Sequence, residues 1–313
     1  MGIRLDTTFT ERTSLESWDF GDFPYALEPL TLPVPGMAPL AAGDPPQGDF
    51  AAVCRELRAF TGAWDTPVEA DPFQSYDRLF WFRWITGHQL TFAVWQLMGR
   101  LIKPVAERGQ ASAAELDALT AYTHGYCAML LYTGSCPRPV YTGLIRPSMF
   151  LQHPGFSGTW APDFGPVRAL FRGRPQPWTD GPEAAGLRAA VETHKTIHDG
   201  IAAKLVPSGR SLLQQSMSET SVKSSAKTAV LYDNYFLTLR APTRADRIVD
   251  QLLRRLRAVA LDVAANDLYP LGHGVPRMPA EYGQDEVIAC EYGLFKILSR
   301  VGETAAGLVP AHT

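Results

Sequence analysis

The sequence lacks several features that would assign it at once to a class of protein. Its 313 residues carry 29 Lys and Arg against 32 Asp and Glu, a net charge of −3. No basic excess is available for a phosphate backbone, so nucleic acid is not expected as a partner. No apolar run approaches the roughly 20 residues that cross a bilayer, and the first 20 residues lack the basic flank and apolar stretch of a secretory signal. We therefore expect a cytoplasmic protein with no membrane partner.

Cysteine is also scarce, and the common catalytic motifs are missing. The four cysteines, Cys54, Cys127, Cys136 and Cys290, form no C-x-x-C pair, which fits a reducing compartment. The sequence contains no H-E-x-x-H, G-x-S-x-G, P-loop or G-x-G-x-x-G motif, and no C-x-x-C-H haem attachment site. The sequence therefore gives no motif-based support for four classes of chemistry: hydrolytic zinc, serine hydrolase, nucleotide and c-type haem.

The sequence is rich in helical periodicity. Hydrophobic residues make up 46 % and charged residues 19 %, which indicates a globular chain. No alternating run is long enough to build a sheet, so the pattern predicts an all-α fold, a helical bundle with long loops. The predicted helices span residues 49–60, 76–103, 111–132, 163–171, 183–205, 225–239, 245–268 and 285–301.

The chain divides into an arm and a body. Residues 1–48 contain seven prolines, which break helices and favour extended backbone. They are predicted to form a Pro-rich N-terminal arm, with residues 49–313 as a single helical domain. The apolar residues between Leu27 and Met37 favour an arm that lies on a protein surface, and a loosely ordered tail is the alternative.

A second unusual segment, Gly134–Trp160, is predicted to be a long loop. It mixes aromatic residues with Arg138, Arg146 and His153. Loops of this length inside a compact domain are uncommon and usually functional. It suits a lid over an aromatic, charged small molecule, and a surface crossover is the alternative.

Three histidines stand out. His88 lies in a predicted helix crowded with Phe and Trp, where a polar ring needs a partner or a cavity. Such surroundings suit a flat apolar cofactor or substrate, or simply a core helix. His194 and His198 are four residues apart on one predicted helix and share a face. They could share a metal, though no third ligand is evident, one could ligate a haem iron, or the pair could be structural.

The helix with His88, Gln89 and Trp95 resembles that of the tryptophan 2,3-dioxygenase superfamily, in which a His-Gln pair precedes a tryptophan and the histidine hangs over the distal face of a haem. Within this superfamily, the chain is most similar to the bacterial haem-dependent L-tyrosine 3-hydroxylases of antibiotic biosynthesis. A related 3-methyltyrosine peroxygenase carries His-x-x-x-Cys and a thioether-bound haem. Here the position four after His194 is His198, which implies non-covalent haem b.

The resemblance implies roles for the cofactor side of the site. His194 would be the axial iron ligand and His88 the distal base, working near the ordinary imidazole pKa of about 6.5. Trp84, Phe92 and His198 would complete the surroundings of the haem, which the helical bundle would enclose.

The resemblance also implies roles for the substrate side. Arg146 would clamp the substrate carboxylate, and a small loop with Ser208, Gly209 and Ser211 would touch the substrate. The implied reaction is peroxide-dependent ortho-hydroxylation of L-tyrosine to 3,4-dihydroxyphenylalanine by a protein that is at least a homodimer. A haem dioxygenase of tryptophan or another indole, a non-catalytic haem protein and a helical scaffold without cofactor are the alternatives.

Overall fold

The computed structural model describes residues 25–37, 39–40, 49–61, 76–206 and 224–307. The all-α prediction is confirmed, because nearly all regular structure in these ranges is helical. The helices are α1 (Phe50–Phe60), α2 (Tyr76–Arg108), α3 (Ala113–Gly134), α4 (Arg138–Val140), α5 (Arg146–Gln152), α6 (Arg168–Phe171), α7 (Ala185–Leu205), α8 (Ala226–Tyr235), α9 (Ala245–Asn266), α10 (Asp285–Tyr292) and α11 (Leu294–Gly307). The strands are β1 (Leu30–Leu32), β2 (Thr238–Arg240) and β3 (Pro270–His273).

Helix α3 is the centre of the bundle. It packs against α2, α7 and α11, while α9 packs against α1, α2 and α11. Two glycines allow α2 and α7 to approach α3 closely. A Cβ at Gly87 on α2 would lie 2.5 Å from Cγ2 of Thr133, and one at Gly134 would lie 2.8 Å from the side chain of Ile201 on α7. The two helices that carry the three singled-out histidines are therefore held close to α3.

A local sequence signal correctly predicts the start of α3, whereas another one fails to predict the end of α2. Ser112 caps α3 and forms the predicted capping box with Glu115, which supplies partners for free backbone N–H groups. The predicted end of α2 before Pro104 is wrong, because the helix continues to Arg108. Proline removes one backbone hydrogen bond, and Val105 in the following turn is fully buried, so packing maintains the helix.

The segment predicted as a long loop is mostly helical. It contains α4, a π-helical turn at Tyr141–Ile145, helix α5 and a 3-10 turn at Gly158–Trp160. Both α4 and α5 have proline in their first turn, where its missing N–H costs nothing and its φ is already helical. Ile145 is fully buried, so the segment is part of the body rather than an open loop.

A short parallel pair, absent from the sequence-based prediction, ties the N-terminal part to the body. Leu30 of β1 pairs with Thr238 of β2, and Leu32 with Arg240. Leu30 and Leu32 are fully buried. Three residues of alternation are too few to detect as a strand from sequence alone.

Buried charged side chains link the helices from inside. Arg83 on α2 donates from Nε to Asp262 on α9 at 2.7 Å, and the Tyr132 hydroxyl donates to the same carboxylate at 2.6 Å. Neither Arg83 nor Asp262 is exposed. Lys204 near the end of α7 is also fully buried and donates to the Gly134 carbonyl at 2.8 Å. Burial lowers the pKa of Lys204 to about 8.

None of the described helices combines the length and the apolar character needed to cross a lipid bilayer. This agrees with the absence of long apolar runs from the sequence.

Candidate functional site

A cavity of about 800 Å³ opens between α2, α3, α7 and α8. Its described lining contains no Lys, Arg, Asp or Glu. The walls are apolar apart from imidazoles and six hydroxyl-bearing side chains, Thr91, Tyr126, Thr133, Ser157, Thr159 and Tyr232. The volume lies within the range of small-molecule and cofactor sites. The uncharged lining suits a large, flat, mostly apolar occupant with a few polar contacts.

His88 lines this cavity from the middle of α2. Its Nδ1 lies 2.6 Å from the Trp84 carbonyl oxygen, one turn earlier. A carbonyl can only accept, so Nδ1 carries the proton and Nε2 has a free lone pair in the neutral ring. Burial lowers the pKa of His88 to about 4. The ring is therefore neutral at pH 7, and a weaker base than the ordinary imidazole assumed from sequence.

Aromatic neighbours hold the His88 ring in place. Phe236, just after α8, stacks on it with ring centroids 4.4 Å apart and an interplanar angle of 20°. Trp84 lies at 4.3 Å and Phe92 at 6.2 Å. Neither Trp84 nor Phe92 is among the described residues that line the cavity. In this arrangement they contact the histidine rather than the cavity.

His194 on α7 is buried, and neither ring nitrogen has a hydrogen-bond partner within the described part of the chain. Burial, with a smaller contribution from His198, lowers its pKa to about 3. The ring lies 4.5 Å from that of Tyr126 and 4.6 Å from that of Phe171. Because Tyr126 lines the cavity, His194 is one side chain removed from it.

His198 lies one turn after His194 and lines the cavity directly. The two rings are 6.2 Å apart and nearly parallel. The His198 side chain is 61 % exposed, and its Nδ1 lies 3.6 Å from the Asp199 carboxylate. The structure therefore brings His88 and His198 to one cavity, with His194 directly behind its wall.

Of the four residues predicted for the substrate side, Arg146 is the one within the described part of the chain. Arg146 begins α5 and hydrogen-bonds the Tyr141 hydroxyl, and it is not among the described residues of the cavity lining. Ser208, Gly209 and Ser211 lie outside the described residues.

A guanidinium that sequence analysis did not single out organises one wall of the cavity. Arg240 on β2 donates to both oxygens of Asp163, at 2.9 and 2.8 Å, and to both oxygens of Asp233. Gln96 donates to the same Asp163 carboxylate at 2.5 Å. Asp163, Asp233 and Gln96 are the neighbours in sequence of three residues that line the cavity, namely Phe164, Tyr232 and Trp95. No sequence signal links positions so far apart in the chain.

The described residues fit a bound haem. A cavity with apolar walls suits a porphyrin, and neutral imidazole is the form that ligates iron. Both ring nitrogens of His194 are buried and have no partner in the described structure, which costs free energy in the protein alone. A bond to an iron atom would compensate one of them. Protein-only metal binding has no support in the described part of the chain, where no cluster of three His, Cys, Asp or Glu occurs.

Comparison with protein families gives a match over part of the chain. No curated protein matches the chain. Residues 45–186, somewhat less than half of the chain, match the family model of the SfmD 3-methyl-L-tyrosine peroxygenase. The matched region contains His88 and Arg146 and ends just after the start of α7, before His194 and His198. This match supports a peroxygenase-type oxidoreductase that modifies a tyrosine-type substrate.

Proposed function

We propose that the protein is a haem-dependent tyrosine 3-hydroxylase, which uses hydrogen peroxide to convert L-tyrosine to 3,4-dihydroxyphenylalanine in natural-product biosynthesis. The observation that carries the proposal is a neutral His88 with a free Nε2 at the wall of a large, uncharged cavity. The peroxygenase family match over the same helix supports the reaction class.

In this proposal, haem b is held non-covalently by an imidazole of α7. His194 would hold the iron, because both of its nitrogens are buried and without a partner in the described structure. His198 stands at the cavity wall one turn away and would contact the cofactor. When bound, the haem would supply activation of the peroxide O–O bond.

His88 moves a proton at Nε2 in this mechanism. Its Nδ1 is committed to the Trp84 carbonyl, so Nε2 accepts a hydrogen bond from the O–H of peroxide or from the phenol of the substrate. A folded-state pKa of about 4 keeps the ring neutral and available as acceptor at pH 7. A hydrogen bond that polarises the phenol O–H raises electron density at the ortho carbon, where hydroxylation is proposed.

The hydroxyls of the lining position the substrate. The hydroxyl groups of Ser157 and Thr159 are hydrogen-bonded to each other at 2.9 Å, and both residues line the cavity. Each hydroxyl can form a further hydrogen bond to a polar group of the substrate. The Tyr232 ring, stacked on Phe156 at 5.3 Å, offers an aromatic wall. Recognition of the carboxylate by Arg146 and contact of Ser208, Gly209 and Ser211 with the substrate remain predictions, as does the homodimer.

The test starts with the absorption spectrum of the purified protein loaded with haem. We expect a Soret band, a change in it when L-tyrosine is added, and a catechol product when peroxide follows. 3-Methyl-L-tyrosine and L-tryptophan form the substrate panel. Turnover of 3-methyl-L-tyrosine alone would reassign the substrate, and turnover of tryptophan alone would favour the indole oxygenase alternative.

The role of His88 is tested with two variants. His88→Ala should keep haem and lose turnover by about 100-fold to 10,000-fold, the usual contribution of a positioned acid–base group. His88→Gln retains a hydrogen-bond acceptor and should recover part of that loss. Equal activity of His88→Ala and the wild-type protein would contradict the proposed role.

A further inference from the structure

A second cavity, of about 390 Å³, lies beside the first. Trp95 lines both cavities, so its indole stands in the partition between them. The rest of the smaller lining comes from the next two turns of α2, from the segment that follows β1 and from the turns around Asp163. The proposed hydroxylation assigns no role to this space.

The smaller cavity has more hydrogen-bond donors than acceptors. Arg100 and Lys103, one turn apart on α2, both line it, and neither has an ion-pair partner among the described residues. The buried Nε1 of Trp95, which is 5 % exposed, has no acceptor in the described structure. The lining of this cavity therefore includes two exposed cations and a tryptophan whose indole N–H has no partner in the described structure.

The one acidic side chain in this lining already has partners. Asp163 accepts two hydrogen bonds from Arg240 and one from Gln96, and no ion pair joins it to Arg100 or Lys103 in the described structure. Water solvates the exposed Arg100 and Lys103 in the unliganded protein, whereas the unpaired Trp95 Nε1 is buried and costly. Two cations beside this donor favour an anion, because a charged acceptor forms the stronger hydrogen bonds.

The remaining lining gives the ligand an apolar body. Five prolines line the cavity, at positions 35, 39, 104, 162 and 166, together with Met37. Proline rings are rigid and apolar and leave no N–H to compete for the ligand. A small inorganic anion would leave these surfaces uncovered, so the geometry favours a carboxylate on an aromatic or aliphatic body of moderate size.

We propose that the smaller cavity binds a small organic carboxylate, which Trp95 Nε1, Arg100 and Lys103 recognise and the proline rings enclose. The inference is independent of the proposed hydroxylation, because it involves neither haem nor peroxide. The shared indole means that a ligand here contacts the same ring that faces the larger cavity.

Benzoate and its neutral isostere benzamide are the probes, titrated by calorimetry into the purified full-length protein. We expect saturable benzoate binding in the millimolar range, as is usual for a ligand of this size, with benzamide weaker by at least about tenfold. Absence of benzoate binding, or equal binding of the two probes, would overturn the proposal.

Matched variants locate the binding. Arg100→Gln/Lys103→Gln removes two exposed charges and should weaken benzoate by about tenfold or more, while Lys296→Gln/Arg300→Gln removes two exposed charges on α11 and should not. Unchanged affinity in the first variant, or competition by L-tyrosine, would place benzoate in the larger cavity and contradict the assignment.

The indole provides a direct readout that does not depend on enzyme activity. In ¹⁵N-labelled protein, benzoate should shift the Trp95 indole N–H resonance, which Trp95→Phe identifies by its disappearance. Trp95→Phe keeps an aromatic partition and should weaken benzoate without unfolding the protein. If the Trp95 signal stays in place while benzoate binds, the indole is not a ligand and the proposed donor set is wrong.

Discussion

Two buried regions of this protein differ in whether their polar groups have partners. Between α2, α3 and α9, Arg83 makes five hydrogen bonds, two of them to Asp262, and Asp262 in turn accepts from Tyr132 and Tyr25. Around the two cavities, the nitrogens of His194 and the Nε1 of Trp95 have none within the described residues.

The difference separates groups that specify the fold from groups available to a ligand. A buried charge is tolerated only when it is paired and hydrogen-bonded, so the Arg83 network fixes how three helices meet. An imidazole or indole without a partner costs free energy in the unliganded protein. Such groups are stabilised when a molecule from outside supplies the missing contact, and the His194 and Trp95 nitrogens are placed for this because they lie beside the cavities.

The largest expected effect comes from breaking the paired region. Asp262→Ala leaves Arg83 buried without its counter-charge, which should reduce the free energy of unfolding by about 3–5 kcal/mol. Urea unfolding monitored by circular dichroism measures it. The exposed pair of Arg58 and Glu303 provides the control, since Glu303→Ala should change stability little. Comparable losses in both variants would contradict the distinction.

A second, smaller effect concerns Lys204, whose ammonium donates to the Gly134 carbonyl and lies over the Tyr269 ring, and whose pKa burial lowers to about 8. Between about pH 8 and its ordinary pKa of about 10.5, the folded protein binds fewer protons than the unfolded chain. The contribution of Lys204 to the free energy of unfolding therefore rises with pH in this window. Relative to Lys204→Met, the wild-type protein should gain up to about 3 kcal/mol over that window. Lys296→Met, at an exposed site, should show no such slope.

The smallest expected effect is at His194, where no hydrogen bond is lost. In haem-free protein at pH 7, His194→Leu should change the free energy of unfolding by less than about 1 kcal/mol. The pKa of about 3 in the folded state means that acid favours the unfolded chain, which protonates first. From pH 7 to 5 the wild-type protein should therefore lose about 2 kcal/mol relative to the variant.

The same variant sharpens the comparison when haem is present. His194→Leu should bind haem much more weakly, with loss of the Soret band on gel filtration, whereas His198→Leu should retain most of it. Full retention by His194→Leu with loss by His198→Leu would move the axial ligand to the exposed histidine. Retention by both would remove α7 from the haem site.

Local signals in the sequence were sufficient for much of the fold. Helical periodicity and the Ser112 cap identify most helices, because both depend on residues within a few positions of one another. The prediction failed where distant contacts override local preference. Val105 is buried beyond Pro104, and Ile145 is buried in the supposed loop.

The candidate site was predictable to a smaller extent. The aromatic surroundings of His88 are visible in the sequence, because the aromatic residues lie within one or two turns of it. The stacking of Phe236 and the clamp made by Arg240 join positions more than 70 residues apart, and no local pattern reports them. Nor does the sequence show that one indole, Trp95, borders two separate cavities.

The Arg240 clamp has a consequence for how molecules reach the larger cavity. Arg240 joins the neighbours of Phe164 and Tyr232, and Asp163 in turn joins the neighbour of Trp95 to them, so we expect these three lining residues to move together. We expect molecules to enter beside α7, where the side chain of His198 is 61 % exposed and Ala202 is exposed. A bulky replacement at Ala202 should narrow this opening and slow the exchange of ligands with solvent, while the residues proposed for the chemistry stay unchanged.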